Sequence, residues 1–437
     1  MNEYDSSKIM DILRDEFEAE ASDSAQYSDI LIMNTCSIRE KAQEKVFSLL
    51  GQWKKLKDKN PNIRIAVGGC VASQEGEAII KRAPYVDIVF GPQTLHKLPE
   101  YIRENKLNSK QIVDIHFFKN DKFDHLPAST DVKPTAFLSI MEGCNKFCSF
   151  CVVPYTRGEE LSRPVQSILD EALSLASRGV KEINLLGQNV NAYRSDVSSG
   201  KSIDFSFLLR LIARIDEIER IRFTTSHPID FNLDLINTII ELPKLGEHLH
   251  LPIQSGSNKV LSDMKRGYSR EYYLRIVERL KKGKPNLSIS SDFIVGFPTE
   301  STNDFDQTLD IIDQVGFDQS FSFVYSPRPG TPASILSDSV DLEEKSDRLR
   351  RLQEKINLNS RLISEEMVGS RQKVLVENVS KRSSAEVTGR ALNNKWVNFL
   401  GSKSLIGSVV DVDVTNTVSN SLRGRAIVHP TEVIAVA

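Results

Sequence analysis

Cys144-Asn145-Lys146-Phe147-Cys148-Ser149-Phe150-Cys151 gathers three of the chain's five cysteines into one short window. A C-x3-C-x2-C triplet offers three soft thiolates from a single loop, the ligand set for three irons of a cubane iron–sulfur cluster. Three ligands for four irons leave one iron open to a small molecule. Two blander readings stand beside this one. A structural zinc site needs a fourth Cys or His at short spacing, but the chain continues Val152-Val153-Pro154-Tyr155-Thr156-Arg157-Gly158 and the next histidine is His227, which would have to fold back. A ferredoxin-type carrier needs four cysteines per cluster, and the stretch holds no fourth.

Outward from the triplet, apolar runs alternate with helix-like segments. Strands are expected near 136–141, 182–187, 221–225, 248–253, 288–295 and 319–325, with helices such as 165–177 and 304–315 in the gaps. Six βα units fit a partial or open TIM-type barrel, whose active face lies at the C-terminal ends of its strands. The triplet follows the first strand and so belongs to that face. Later strands end in Gly187-Gln188-Asn189, Ser226-His227-Pro228, Gln254-Ser255-Gly256 and Gly296-Phe297-Pro298. Any one of these reads as an ordinary turn; their recurrence on one rim is the more specific signal.

Toward the N-terminus, the runs Ile30–Met33, Ile63–Val67 and Val86–Phe90 are continuous apolar strands separated by amphipathic stretches. That pattern predicts a parallel sheet covered on both faces, here opening on a helix with no strand before it. Cys36 and Cys70 close the first two strands, at the edge where such sheets bind ligands. The polar segment 118–133 reads as a linker. Toward the C-terminus, 342–366 predicts a charged helix with Leu349, Leu352, Ile356 and Ile363 on its packing stripe. Val410, Val412 and Val414 then alternate with Asp411 and Asp413, predicting a small five-stranded barrel. Trp396 and Phe399 in it are candidates for base stacking or for core packing. The chain is therefore α/β, divided into 1–117, the linker 118–133, 134–366 and 367–430.

Composition is that of a globular protein, 40% hydrophobic and 26% charged, with a net charge of −3. Residues 367–430 carry nine Lys/Arg against four Asp/Glu, or +5, which leaves −8 on the remainder. A basic tail on an acidic body suits a polyanion-binding module. No run approaches the ~18 apolar residues of a membrane span, the acidic start is no signal peptide, and clustered thiols with an odd cysteine suit the cytoplasm.

Met141-Glu142-Gly143-Cys144 through Gly158 resembles the signature loop of radical S-adenosylmethionine enzymes. Asn34-Thr35-Cys36-Ser37-Ile38-Arg39-Glu40-Lys41-Ala42 and Gly68-Gly69-Cys70-Val71-Ala72-Ser73-Gln74-Glu75-Gly76 resemble the tRNA branch of the methylthiotransferases, the MiaB type. The C-terminal segment resembles a TRAM RNA-binding domain, so the likeness covers nearly the whole chain. It implies a 4Fe–4S cluster on Cys144, Cys148 and Cys151 whose open iron binds S-adenosylmethionine for cleavage to methionine and a 5′-deoxyadenosyl radical. It also implies a second 4Fe–4S cluster involving Cys36 and Cys70 as the sulfur source. An unactivated aromatic C–H needs such a cofactor-borne radical. The expected product is a methylthio group at C2 of an N6-dimethylallyl (isopentenyl) adenosine in the tRNA anticodon stem-loop, beside the anticodon. By the same resemblance, Gln188, Asn189, Gln254, Ser255 and Gly296 match rim positions that contact S-adenosylmethionine. Arg157 is expected to meet tRNA phosphate or the cofactor, or else to form a structural salt bridge. A monomer reduced by a flavodoxin or ferredoxin is expected.

The family pattern places three cysteines in the N-terminal domain, the first on a strand directly before Met-Asn-Glu-Tyr-Asp-Ser. This chain opens on that phrase, Met1 to Ser6. The expectation is an upstream natural start with a third cysteine; without one, the second cluster lacks a ligand and sulfur insertion is in doubt. The nearest alternatives are methylthiotransferases acting on threonylcarbamoyladenosine or on ribosomal protein. A non-catalytic iron–sulfur RNA-binding protein is the alternative of another class.

Overall fold

The apolar runs of the first quarter form β1 (Ile30–Thr35), β2 (Arg64–Gly69), β3 (Ile88–Phe90) and β4 (Ile112–Asp114), paired in that order with parallel registers throughout. The computed structural model describes residues 1–36, 40–117, 127, 133–196, 200–338, 340–419 and 421–427. The linker expected at 118–133 falls outside these except for Pro127 and Lys133. Because both faces of a parallel sheet are covered by helices, the consecutive residues of the central strands are buried, Ile65–Gly69 of β2 and Ile88–Phe90 of β3, while β1 and β4 stay partly exposed. Ile65 and Val67 pack with Val46, Leu50 and Trp53 on one side. Ala66 and Ile88 pack with Ile9, Ile12, Leu13 and Leu98 on the other.

The chain falls into two compact units that do not follow chain order. The first joins residues 1–131 to 139–163 and 326–334. It thus holds the parallel sheet together with the triplet loop. That loop is the tip of a short antiparallel pair, β6 (Met141–Glu142) and β7 (Leu161–Ser162).

The second unit takes in 132–138, 164–325 and 335–437. Its strands run in chain order around an arc. β5 (Thr135–Ser139), β8 (Glu182–Leu186) and β11 (Arg220–Thr224) share a sheet. A parallel bridge, Ile221 to Leu245, leads on to β12 (His248–His250) and β13 (Ser288–Ser290). A second, Gln254 to Phe293, leads to β14 (Asp292–Val295) and β15 (Phe321–Val324). A small hairpin, β9 (Arg194–Asp196) with β10 (Ser202–Asp204), follows β8. The six strand positions expected from the sequence are all present, split only where the arc bends. Amphipathic helices cover the outside, among them Val165–Ser177, Leu233–Glu241, Arg270–Gly283 and Thr302–Val315.

The charged helix Leu342–Glu366 buries Leu352 and Ile356 as its stripe predicts. The tail closes as a five-stranded barrel: β16 (Arg371–Val379), β17 (Glu386–Arg390), β18 (Trp396–Leu400), β19 (Val409–Val418) and β20 (Ser421–Ala426), in the order β16-β17-β18-β20-β19. Val412 and Val414 point into its core with Phe399, which settles Phe399 as a packing residue. Trp396 stays partly exposed beneath the Arg390 guanidinium, 4.4 Å from the ring centroid.

Candidate functional site

All five cysteines lie in the first unit. Thr35 pairs with Gly69 across β1 and β2, so the next residues, Cys36 and Cys70, leave adjacent strands side by side. Gly69 has φ +92°, and a Cβ there would clash with Thr35 O, so a side chain would push the two strand ends apart. Cys70 is buried and begins the helix Cys70–Glu75.

The triplet loop is held by its stem. Gly143 has φ +75° and packs against the carbonyl of Glu159, where no Cβ fits. The Cys144 N–H donates to Gly158 O at 3.3 Å, and the Cys151 N–H to Cys148 O at 3.0 Å. Asn145 Oδ1 accepts from the Glu160 N–H at 3.0 Å. Burial is the main cause that pushes the Cys144 thiol up, to about 11, with the neighbouring Cys148 and Glu160 adding to it. A thiol so placed ionises only when a cation offsets the charge, and metal coordination does that. Among the described residues no three Cys, His, Asp or Glu side chains converge as they would on one ion. A cubane does not ask for that, since each thiolate meets its own iron. The donor set therefore fits an iron–sulfur cluster.

Arg157, six residues after the triplet's last cysteine and close enough to Cys70 to feel its charge, is 4% exposed. Its guanidinium donates to Asp5 Oδ2 at 2.6 Å and Glu142 Oε1 at 3.3 Å. Burial pulls its pKa down, but Asp5, Cys70 and Glu142 outweigh burial and hold it firmly charged. Gln93 Nε2 donates to Glu142 Oε2 at 2.8 Å and to Arg157 O at 3.1 Å. The salt-bridge reading of Arg157 is the one the structure supports. The short helix Val153–Thr156 packs against the helix that begins at Cys70.

In the second unit the rim candidates sit on successive loops at the C-terminal ends of β8, β12 and β14. Asn189 is 1% exposed; its Nδ2 donates to Asp230 Oδ2 at 2.7 Å, while its Oδ1 is buried without a hydrogen-bond partner. Gln188 is its partly exposed neighbour. Gln254 takes a left-handed φ of 76° between N–H donation to Asp292 O and acceptance from the Ile294 N–H. Ser255 is fully buried, 3.3 Å from Thr308 Oγ1, and accepts from the Ser257 N–H. The Gly296 N–H donates to Glu300 Oε2 at 2.7 Å. The sequence marks the motif at 226–228 but no residue in it as a site. There Ser226 Oγ is buried without a partner, beside Thr225, whose φ of 75° is costly for a β-branched residue. Neither property has a signature in residue type alone.

Comparison with known proteins matches three stretches of the chain. Residues 1–91 match the Uncharacterized protein family UPF0004, 138–312 the Radical SAM superfamily and 365–427 the TRAM domain. A tRNA-2-methylthio-N(6)-dimethylallyladenosine synthase of Haemophilus ducreyi is 56% identical over 427 residues, covering 98% of this chain and 90% of the relative. One of Legionella pneumophila (strain Corby) is 55% identical, covering 98% and 96%.

The chain belongs to this family.

Family membership makes it a radical S-adenosylmethionine enzyme of tRNA modification, with a 4Fe–4S cluster and S-adenosylmethionine as cofactors and tRNA as partner. The fold agrees. The radical S-adenosylmethionine methyltransferase TsrM from Kitasatospora setae aligns with TM-score 0.52 at 16% identity, over 76% of this chain and 71% of that one. OxsB, a cobalamin-dependent S-adenosylmethionine radical enzyme, aligns with TM-score 0.52 at 14% identity, over 81% and 53%. Likeness at that identity speaks for the fold alone. No helix among the described residues is long and apolar enough to cross a membrane.

Proposed function

We propose that this chain transfers a methylthio group to C2 of N6-dimethylallyladenosine beside the anticodon of tRNA. The observation that carries the proposal is the grouping of all five cysteines in one compact unit, three on one hairpin and two at the ends of paired strands. Cys144, Cys148 and Cys151 would hold the radical-generating cluster, and Cys36 and Cys70 belong to the second, sulfur-donating one. When bound, the first cluster and S-adenosylmethionine supply the radical that opens the aromatic C–H. The protein's own work is to bind and orient. Asn189 and Ser226 present buried oxygens that a polar ligand would satisfy, and Gln188, Gln254, Ser255 and Gly296 shape the same rim. Region 1–117 supplies the sulfur site, 118–133 links, 134–366 activates S-adenosylmethionine, and 367–430 holds tRNA. The enzyme works in the cytoplasm as a monomer, with a flavodoxin or ferredoxin as electron donor.

The test uses reconstituted protein, reductant, S-adenosylmethionine and tRNA carrying dimethylallyladenosine, with nucleosides analysed after digestion. The methylthio nucleoside is expected. Cys144→Ala should abolish 5′-deoxyadenosine release, whereas Cys70→Ala should keep that release and lose the methylthio product. Unmodified tRNA after wild-type turnover would refute the assignment.

A further inference from the structure

On the outer flank of the second unit, a cavity of about 310 Å³ lies between the helices Leu233–Glu241 and Arg270–Gly283. Phe231, Ile236 and Ile276 give it an apolar floor, and Tyr272, Arg275 and Arg279 give it an aromatic and cationic wall. Tyr272, Arg275 and Arg279 stand at i, i+3 and i+7 of one helix, so their side chains share a face. Arg270, on the same helix, is tied to Asp310. Arg275 and Arg279 are exposed and, among the described residues, neither has an ion pair or hydrogen bond; Arg275 sits 5.8 Å from the Tyr272 ring centroid.

The cavity connects to the rim through aromatic rings. His227, on the loop after β11, lies 5.6 Å from Tyr268, and Tyr268 lies 6.5 Å from Tyr272, centroid to centroid. Tyr268 Oη donates to Ile253 O at 3.0 Å, the residue before Gln254. The Arg266 guanidinium, buried and 5.3 Å from the Tyr268 ring centroid, donates to Tyr268 Oη and to Pro252 O and so holds this ring in place, leaving Arg275 and Arg279 as the exposed cations beside the Tyr272 face. Aromatic faces interleaved with guanidiniums are what an unpaired RNA strand requires: bases stack on rings while phosphates meet the cations.

We propose that the Tyr272–Arg275–Arg279 cavity, which the buried His227 and Arg266 and the ring of Tyr268 back on the rim side, is a second RNA contact that receives a splayed-out nucleotide neighbouring the one being modified. It rests on the tRNA-modifying reading above and adds a site to it. The occupant is single-stranded RNA of the anticodon loop, because the wall combines a stacking face with two uncompensated charges suited to adjacent phosphates.

The test measures binding of the reconstituted enzyme to an anticodon stem-loop carrying dimethylallyladenosine, from about 50 to about 200 mM salt. Arg275→Ala/Arg279→Ala should flatten the log–log salt dependence by about two, one for each phosphate no longer neutralised. Tyr272→Leu should weaken binding by about tenfold with the salt slope kept, as removal of one base stack would. Arg275→Lys/Arg279→Lys should restore the slope. RNA-independent release of 5′-deoxyadenosine should stay at the wild-type level in all of them, showing that they fold. Unchanged affinity and slope in variants of an enzyme that does methylthiolate tRNA would overturn the site while leaving the functional assignment standing. So would unchanged RNA binding with slower reduction by an acidic electron carrier, which would give the two arginines to that protein instead. A wild-type enzyme that leaves the tRNA unmodified would fail the functional assignment itself.

Discussion

At the N-terminal ends of β8 and β11, Glu182, Arg220 and Arg222 form a closed cluster. Glu182 Oε2 lies 3.3 Å from Arg220 Nη1 and 3.0 Å from Arg222 Nε. The same guanidiniums donate to the carbonyls of Arg390, Ala391 and Leu392 in the β17–β18 turn. At the C-terminal ends of the same two strands, Asn189 and Ser226 keep buried oxygens without a partner. A buried polar group left unsatisfied costs about 1–3 kcal/mol. One end of the arc is thus tied to the small barrel by charged hydrogen bonds and holds it in place, although Glu377 and Arg390 beside it keep buried atoms without a hydrogen-bond partner. The other carries polar groups whose cost a ligand would offset. That division is the usual one for βα barrels, stability at one face and chemistry at the opposite one.

The sharpest way to break the comparison is Glu182→Gln. It strands two buried guanidiniums, so the loss should reach about 3–5 kcal/mol in urea unfolding. Burial already pulls Arg220 down to about 10 even with Glu182 beside it. Radical cleavage of S-adenosylmethionine, measured where the variant remains folded, should survive. A loss below about 1 kcal/mol would mean that the cluster is no better than a surface ion pair.

Lys395→Met ranks next. Lys395 Nζ lies 2.8 Å from Asp318 Oδ1, with both side chains 4% exposed. Burial alone would raise the Asp318 pKa, but Lys395, Ser360 and the Gln319 N–H outweigh it and hold it below the usual value of 3.8. A depressed carboxylate contributes stability above its unfolded pKa and loses it as pH falls through the folded one. Without the lysine, the largest cause that lowers the Asp318 pKa is gone and burial weighs more heavily against its charge. The variant should lose about 3 kcal/mol at neutral pH, and its deficit should shrink as the pH is lowered toward about 3. A deficit independent of pH would show that Asp318 is not what Lys395 serves.

Much of this is legible in the sequence. Period and spacing locate all six strands of the arc, because each carries short apolar runs bounded by turn residues, even though charged residues such as Glu182, Arg220 and Arg222 interrupt them. They also locate the helix 342–366 and the closed tail barrel, where Val412 and Val414 alternate with solvent-facing aspartates. What stays hidden depends on long-range pairing. Arg157 can be read as a ligand for phosphate until the fold brings Asp5, 152 residues away, beside it. The grouping of the triplet hairpin with the N-terminal sheet is likewise a property of packing. So is the orphaned Ser226 hydroxyl, since a serine after a strand looks the same whether water, protein or ligand answers it.

At the other end of the arc the expected effects on stability are smaller and those on ligand binding larger. Asn189→Ala removes the 2.7 Å bond to Asp230 together with the orphan acceptor. The two should nearly cancel, leaving a loss within about 1 kcal/mol, while S-adenosylmethionine binding by equilibrium dialysis weakens. Unchanged affinity would place the cofactor elsewhere.

The smallest stability change, and the most diagnostic, belongs to Ser226→Ala. Deleting a buried hydroxyl that has no partner removes a desolvation cost, so the variant should unfold at the same urea concentration or at one higher by the equivalent of about 1 kcal/mol. Binding of S-adenosylmethionine should nevertheless weaken by a few-fold, because the partner the hydroxyl lacks in the free protein would be supplied by the ligand. If the variant is instead destabilised by more than about 1 kcal/mol, Ser226 is already satisfied by an ordered water. The two ends of the arc would then differ in sequence but not in kind.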